Sequence, residues 1–304
     1  MASVPLFDLP PRLVQEQEAA APGWLTDLPE LAGRLLREWE LAFERVAAPG
    51  GRGSLLLLVR CADGSPAALK LRAPGPATAL EYAALRRWDG RGAVRALRCA
   101  EADGALLLER LHGEISLRSL PEAKAMQEAA SAVHRLWVDP GEGHPFPTVA
   151  ERTGEQARAL REAPVPEVRP LVDEALELHH GLLASPPGAG GEAVLLHGDF
   201  RQGAVLASDA ERAPWLAVGP EPVVGERAYD LARLVRDRLH DLVASPGAAA
   251  VTRRRLARLS ESLDVDRERL RSWTRFRAVR SGVRQLTAGR RADGEMLLEF
   301  AGWL

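Results

Sequence analysis

Lys70 stands inside an apolar run, AALKLRA at 67–73, where an ammonium group is costly unless a partner compensates its charge. Glu81, in the helical stretch that follows, is its candidate partner. A strand lysine held by a helix glutamate can present positive charge to an anion; the alternative is an edge lysine in solvent beside a surface glutamate. His197, Gly198 and Asp199 leave a second apolar run, AVLLHGDF at 193–200. A carboxylate so placed can take the proton of an attacking hydroxyl or amine without a metal. His197 is then either an acid–base partner or a residue that steadies the loop. Glu221 is a further carboxylate candidate for proton transfer. Arg201, Arg280 and Arg284 are candidates for holding an anionic group, because a guanidinium grips an oxyanion with two parallel hydrogen bonds.

Those residues need elements to carry them. SLLLLVR (54–60), the turn signal ADGSP and AALKLRA read as a β-hairpin. Residues 77–88 carry a helical period, 105–111 read as a buried strand, and 121–137 as another helix. The apolar spacing across 24–46 is also roughly helical, and PPGAGG at 186–191 reads as a loop. AVLLHGDF supplies a short strand running into a polar turn, and 214–225 a second short strand. Helical patterns dominate from Ala228 onward. This order implies an α+β chain of two lobes, a sheet-rich N-terminal lobe over 1–110 and a helical C-terminal lobe over 111–304.

The chain of 304 residues has 46% hydrophobic and 27% charged residues, the balance of a globular protein rather than a disordered one. No apolar run reaches membrane-span length, and no signal-peptide pattern opens the sequence. Two cysteines, Cys61 and Cys99, make neither a disulfide framework nor a zinc cluster, so a cytoplasmic location is the expectation. A net charge of −2 argues against nucleic-acid binding. Of 40 basic residues only Lys70 and Lys124 are lysines, a bias that makes any single surface arginine weak evidence. Yet residues 251–291 hold 13 arginines against four acids. Within the helix expected from Asp266, Arg277, Arg280 and Arg284 flank an apolar face of Trp273, Phe276, Val279, Val283 and Leu286.

The segments LLHGDFRQGAVL (195–206) and PWLAVGPEPVVGERAYDLARLVRDRL (214–239) resemble the aminoglycoside and hydroxyurea phosphotransferase family, in its streptomycin 6-kinase branch. ADGSPAALKL, WDGRGAV, ALLLERL and DRERLRSWT extend the resemblance over nearly the whole chain. It implies a protein-kinase-like fold, a small antiparallel-sheet lobe and a larger helical lobe about a cleft. It also implies that Lys70 and Glu81 position nucleotide phosphates, that Asp199 is the catalytic base, and that Asp230 supports the catalytic loop. With the composition, it points to an antibiotic-producing bacterium and to small, polar, amine-rich ligands.

Four positions depart from the family pattern. Ala204 replaces an asparagine that binds a metal ion, and Gly219 replaces an aspartate that is also a Mg²⁺ ligand. Arg201 replaces a histidine, and Glu221 a lysine. With both metal-binding side chains gone, the sequence leads to the expectation of a chain catalytically dead as a kinase, binding no metal and needing no cofactor. Its scaffold would serve a metal- and ATP-independent reaction of natural-product biosynthesis, a proton transfer, elimination or ring closure on a small polar metabolite that is amine-bearing and anionic. The alternatives are a non-catalytic pseudokinase, docking an acidic carrier protein or partner enzyme through the arginine-rich C-terminal helices, and an active kinase that recruits another carboxylate such as Glu221 to the metal.

Overall fold

The computed structural model describes residues 7–48, 50–185 and 193–304; the loop expected at 186–191 lies outside them. The chain divides into two units. One comprises Met1–Glu114 with Ala207–Leu216, the other Ile115–Leu206 with Ala217–Leu304.

The first unit begins with helices α1 (Pro11–Gln17) and α2 (Pro22–Glu38). Strands β1 (Ala42–Val46), β2 (Leu55–Arg60) and β3 (Pro66–Leu71) precede helix α3 (Pro76–Trp88). Strands β4 (Ala96–Ala100) and β5 (Ala105–Glu109) complete an antiparallel sheet ordered β1-β2-β3-β5-β4. Strand alternation explains its two faces. Leu55, Leu57, Val59, Ala67, Leu69 and Leu71 pack with Leu28, Leu35 and Leu36 of α2 in one apolar core. Lys70, one position out of phase with Leu69 and Leu71, lies on the opposite face, in register between Leu56 of β2 and Leu106 of β5. The hairpin turn is closed by Asp63, whose Oδ1 accepts from the Ser65 amide at 2.9 Å and hydroxyl at 2.6 Å, with Gly64 left-handed at φ 83°. The helical period expected across 24–46 ends early. Glu40 turns left-handed at φ 54°, and Ala42–Val46 pairs with β2 as an edge strand. Sheet pairing there outweighs the local helical spacing.

Three short strands, β6 (His112–Ser116), β8 (Val205–Ala207) and β9 (Trp215–Ala217), lie where the chain passes between units. The second unit is otherwise helical: α4 (Glu122–Leu136), α5 (Val149–Glu162), α6 (Arg169–Ala184), α7 (Arg227–Val235), α8 (Leu239–Val243), α9 (Ala248–Leu263), α10 (Arg267–Thr287) and α11 (Arg291–Gly302). Strand β7 (Val194–Leu196) pairs antiparallel with β10 (Val223–Gly225). The segment 214–225, expected as one strand, is therefore two, β9 and β10, with a Pro- and Gly-containing turn between.

Helix α10 is the axis of this unit, packing against α6, α7 and α11. Asp266 caps it, accepting from the Arg269 amide at 2.8 Å. Trp273, Phe276, Val279 and Val283 form its buried stripe, and His179 of α6 stacks on Phe276 with ring centroids 4.6 Å apart. Gly282 of α10 and Gly294 of α11 let the two helices approach closely. A Cβ on Gly282 would meet Leu298 Cγ at 2.8 Å and the Gly294 carbonyl at 3.1 Å.

The same substitution should therefore have opposite signs at two helical glycines. Gly181→Ala in α6, with open space around its Cβ, should raise stability by up to about 1 kcal/mol through helix propensity. Gly282→Ala should lower it, since overpacking costs about 1–3 kcal/mol and exceeds that gain. Urea unfolding of both variants, compared at equal m-value, checks this.

Candidate active site

In the first unit, the Lys70 ammonium lies 2.7 and 2.6 Å from the two carboxylate oxygens of Glu81. Glu81 is fully buried, and Arg72 stands 3.6 Å from the same carboxylate. One buried carboxylate thus faces two cations. The edge-lysine alternative does not apply, because the lysine points at α3 and only 14% of its side chain is exposed.

In the second unit, the loop after β7 is organised around a fully buried carboxylate. Asp230 of α7 accepts from the His197 amide at 2.9 Å and from the Gly198 amide at 2.8 Å, one on each oxygen. Trp137 Nε1 donates to the same group at 3.4 Å. Burial pushes the Asp230 carboxyl above its ordinary range, opposed by these two amides and by the Arg277 charge. Arg277 of α10 closes the arrangement, donating to the Gly198 carbonyl at 2.8 Å and the Tyr229 carbonyl at 2.9 Å while lying 4.3 Å over the Tyr229 ring. Gly198 is left-handed at φ 78°, and a Cβ there would run into the Glu221 carbonyl, so the loop requires glycine.

His197 is fully buried, and both ring nitrogens serve the loop. Nε2 donates to the Val218 carbonyl at 3.2 Å, and Nδ1 accepts from the Asp199 amide at 3.3 Å. The Val218 carbonyl can only accept, which fixes the proton on Nε2. The residue positions Asp199.

The Asp199 carboxylate is engaged on both oxygens, Oδ1 by Arg233 of α7 and Oδ2 by Arg201 at 3.5 Å. Burial, then like charge from Arg277, Arg284 and Arg280, pushes the Arg233 guanidinium down to about 10, against the pull of Asp237. Burial likewise lowers Arg201, with Asp237 and Glu221 opposing. The loop's far end is held by Asp237, which accepts from the Gln202 amide at 2.5 Å, and by Arg238, which donates to the Gln202 side chain at 2.7 Å.

Glu221, 63% exposed, pairs with Arg152 of α5 at 3.6 Å, while its amide donates to the His197 carbonyl. It contributes to the loop through its backbone. Arg280 and Arg284 lie on the α10 side facing α5, and the guanidinium group of neither has a hydrogen bond or ion pair among the described residues. The remaining basic run is largely consumed inside the unit: Arg255 binds Glu122, Arg269 binds Glu226, and Arg275 binds Glu174. Sequence reasoning missed Arg233 and Asp237, and it placed Arg277 on a helix flank without the loop contacts it makes. The signal was present for Arg233, which stands three residues after Asp230 on the same helix face.

The architecture is that of a protein-kinase-like fold, with an antiparallel N-terminal sheet and a helical C-terminal region. A choline kinase of Streptococcus pneumoniae shares it at TM-score 0.63, over 90% of this chain and 97% of that one, at 12% identity. The model of the aminoglycoside/hydroxyurea antibiotic resistance kinases matches residues 38–289, and the chain belongs to that family. It is 35% identical to the streptomycin 6-kinase of Streptomyces glaucescens over 271 residues, 88% of this chain and 85% of that one. It is 36% identical to the hydroxyurea phosphotransferase of Kitasatospora aureofaciens over 310 aligned positions, 96% of this chain and 83% of that one.

These findings correct the expectation drawn from Ala204 and Gly219. Neither a metal- and ATP-independent lyase or cyclase nor a non-catalytic pseudokinase is supported; family and relatives indicate phosphoryl transfer. The physical reason is that the charge of a transferring phosphoryl group can be met by guanidinium and ammonium groups as well as by metal ions. The Mg²⁺ site that the family implies is nonetheless not matched here. Ala204 and Gly219 carry no side-chain oxygen, Asp199 is taken by two arginines, and the described residues contain no cluster of three or more His, Cys, Asp or Glu side chains able to hold a metal. No helix of the described residues is long and apolar enough to cross a membrane.

Asp230→Asn keeps the shape of the side chain but offers an NH₂ where one loop amide needs an acceptor. Stability should fall by about 1–3 kcal/mol, the cost of leaving a buried donor unpaired. Activity should fall with it, as measured by urea unfolding and turnover on the same preparation.

Proposed function

We propose that this protein transfers a phosphoryl group from ATP to a hydroxyl of a small, polar, antibiotic-like molecule. The observation that carries the reading is the catalytic-loop geometry: Asp199 follows two amides that are both fixed by the buried Asp230, in a chain of the kinase family described above. An ionised carboxylate has about four lone-pair sites, so Asp199 can accept a substrate hydroxyl while its two arginines remain in place.

The roles follow from the side chains. Asp199 orients the acceptor hydroxyl and takes its proton as the oxygen attacks the terminal phosphorus, with ADP leaving. His197 and Asp230 hold that carboxylate in position. Lys70, itself oriented by Glu81, offers an ammonium to the donor's phosphates. Arg201 and Arg233 add positive charge beside the attacking group, where charge on the transferring phosphoryl develops. No step is assigned to a metal ion, since the residues at the family's metal positions do not fit one.

An ADP-release assay with ATP and a panel that includes streptomycin and hydroxyurea tests the reading. Acceptor-stimulated ADP release should appear, and Asp199→Asn should lower kcat by about 100-fold or more with KM for the acceptor changed only a few-fold. Absence of stimulated release with every hydroxyl- and amine-bearing acceptor, or full activity in Asp199→Asn, overturns it.

A paired comparison isolates the lysine. Lys70→Ala should weaken ATP binding by about tenfold, the loss of one charge-assisted contact. Lys124→Ala, which removes a surface pair with Glu128 on α4, should leave it unchanged. Isothermal titration with ATP gives both values.

A further inference from the structure

A cavity of about 540 Å³ opens between α5 and α10, lined among others by Glu155, Gln156 and Leu160 on one side and by Arg280, Val283 and Arg284 on the other. Arg280 and Arg284 stand four residues apart, so their guanidinium groups are neighbours on one helix face. Like charges at that spacing repel, and no carboxylate of the chain pairs with either of them among the described residues. Burial and the charges of Arg284 and Arg277 lower the Arg280 guanidinium, a strain that a bound counter-charge would relieve. Other arginines of α10, Arg269, Arg271 and Arg275, each have a carboxylate partner. Gln156 adds a second observation, because its Oε1 is buried without a donor among the described residues. The cavity is close to the loop along the helix. Arg280 follows by less than one turn Arg277, whose guanidinium is bonded to the Gly198 carbonyl.

We propose that this cavity is an acceptor subsite for an oxyanion, so that the small molecule carries a carboxylate or phosphate group gripped by Arg280 and Arg284, with a hydroxyl or amine donating to Gln156. The proposal rests on the phosphotransferase reading for the word acceptor, but the anion site stands on its own geometry. Two guanidinium groups would hold such an anion by charge-assisted, bidentate bonds. The exposed carboxylates of Glu155 and Glu162 at the rim suit a ligand that also bears an amine. The ligand class is therefore zwitterionic rather than purely cationic.

Thermal unfolding with inorganic phosphate, and separately with acetate, tests this in the full-length protein with no nucleotide present. Sodium chloride at matched ionic strength is the reference. At least one oxyanion should raise Tm above the chloride value. That increment should vanish in Arg280→Gln/Arg284→Gln and shrink in Arg284→Gln alone, an exposed position whose change should leave folding intact. It should persist in Lys70→Ala. In chloride, the double variant should melt at or above the wild-type temperature, because a repulsive pair has been removed; a structural role would instead lower it. An increment absent for both anions, surviving in the double variant, or lost in Lys70→Ala overturns the proposal. ADP release separates the two readings. An intact anion increment without acceptor-stimulated turnover refutes phosphoryl transfer alone, and stimulated turnover without the increment refutes the anion subsite alone.

Discussion

The Asp230 carboxylate, sealed from solvent, accepts the backbone amides of His197 and Gly198, and the rest of the site depends on that pair of bonds. A carboxylate in such surroundings is tolerable only when its lone pairs are used, and here two amides and an indole use them while the charge of nearby Arg277 helps to offset its own. The consequence is a loop with little freedom. With both amides fixed, Gly198 is forced into its left-handed conformation, Glu221 is drawn in by its own backbone amide, and Asp199 emerges at a set position. Arg277 ties the same loop to α10, so the helix that carries Arg280 and Arg284 is joined directly to the loop that carries Asp199.

Electrostatics then distinguish this site from the metal-dependent pattern its family implies. Two positions that would offer oxygen to a cation offer none, while arginines approach Asp199 from the loop itself and from α7. The charge that a divalent ion would concentrate is here distributed over guanidinium groups. These cannot be lost by dissociation, and their geometry suits oxyanions. Burial depresses Arg201, Arg233 and Arg280 alike. The first unit repeats the theme at smaller scale, with Lys70 and Arg72 both turned toward the buried Glu81.

Much of this was legible in the chain as written. The hairpin of β2 and β3, the helices α3, α4 and α10, and the strand that carries His197-Gly198-Asp199 follow from local periodicity and turn chemistry, which act over a few residues. The pairing of Lys70 with Glu81 was one of two readings the sequence allowed, the other being an edge lysine in solvent, and the family resemblance rather than the local residues pointed to it. The edge strand β1 and the division of 214–225 into β9 and β10 were not legible. Both depend on pairing with another strand, β1 with β2 and β10 with β7, and that pairing overrode the local pattern.

The amino-acid sequence by itself determined the class of fold, the loop that carries His197 and Asp199, and the loss of side-chain oxygens at 204 and 219. It could not determine what the arginines do. A guanidinium is the same in any sequence position, and its role depends on which carboxylate comes within about 4 Å of it. Only the tertiary structure showed that Arg233 and Arg201 hold Asp199, that Arg277 bridges two carbonyls, and that Arg269 and Arg275 are spent on internal pairs. The same packing left Arg280 and Arg284 without partners at the edge of a cavity, a distinction that arises from the contact of α5 with α10 and from nothing local in either helix.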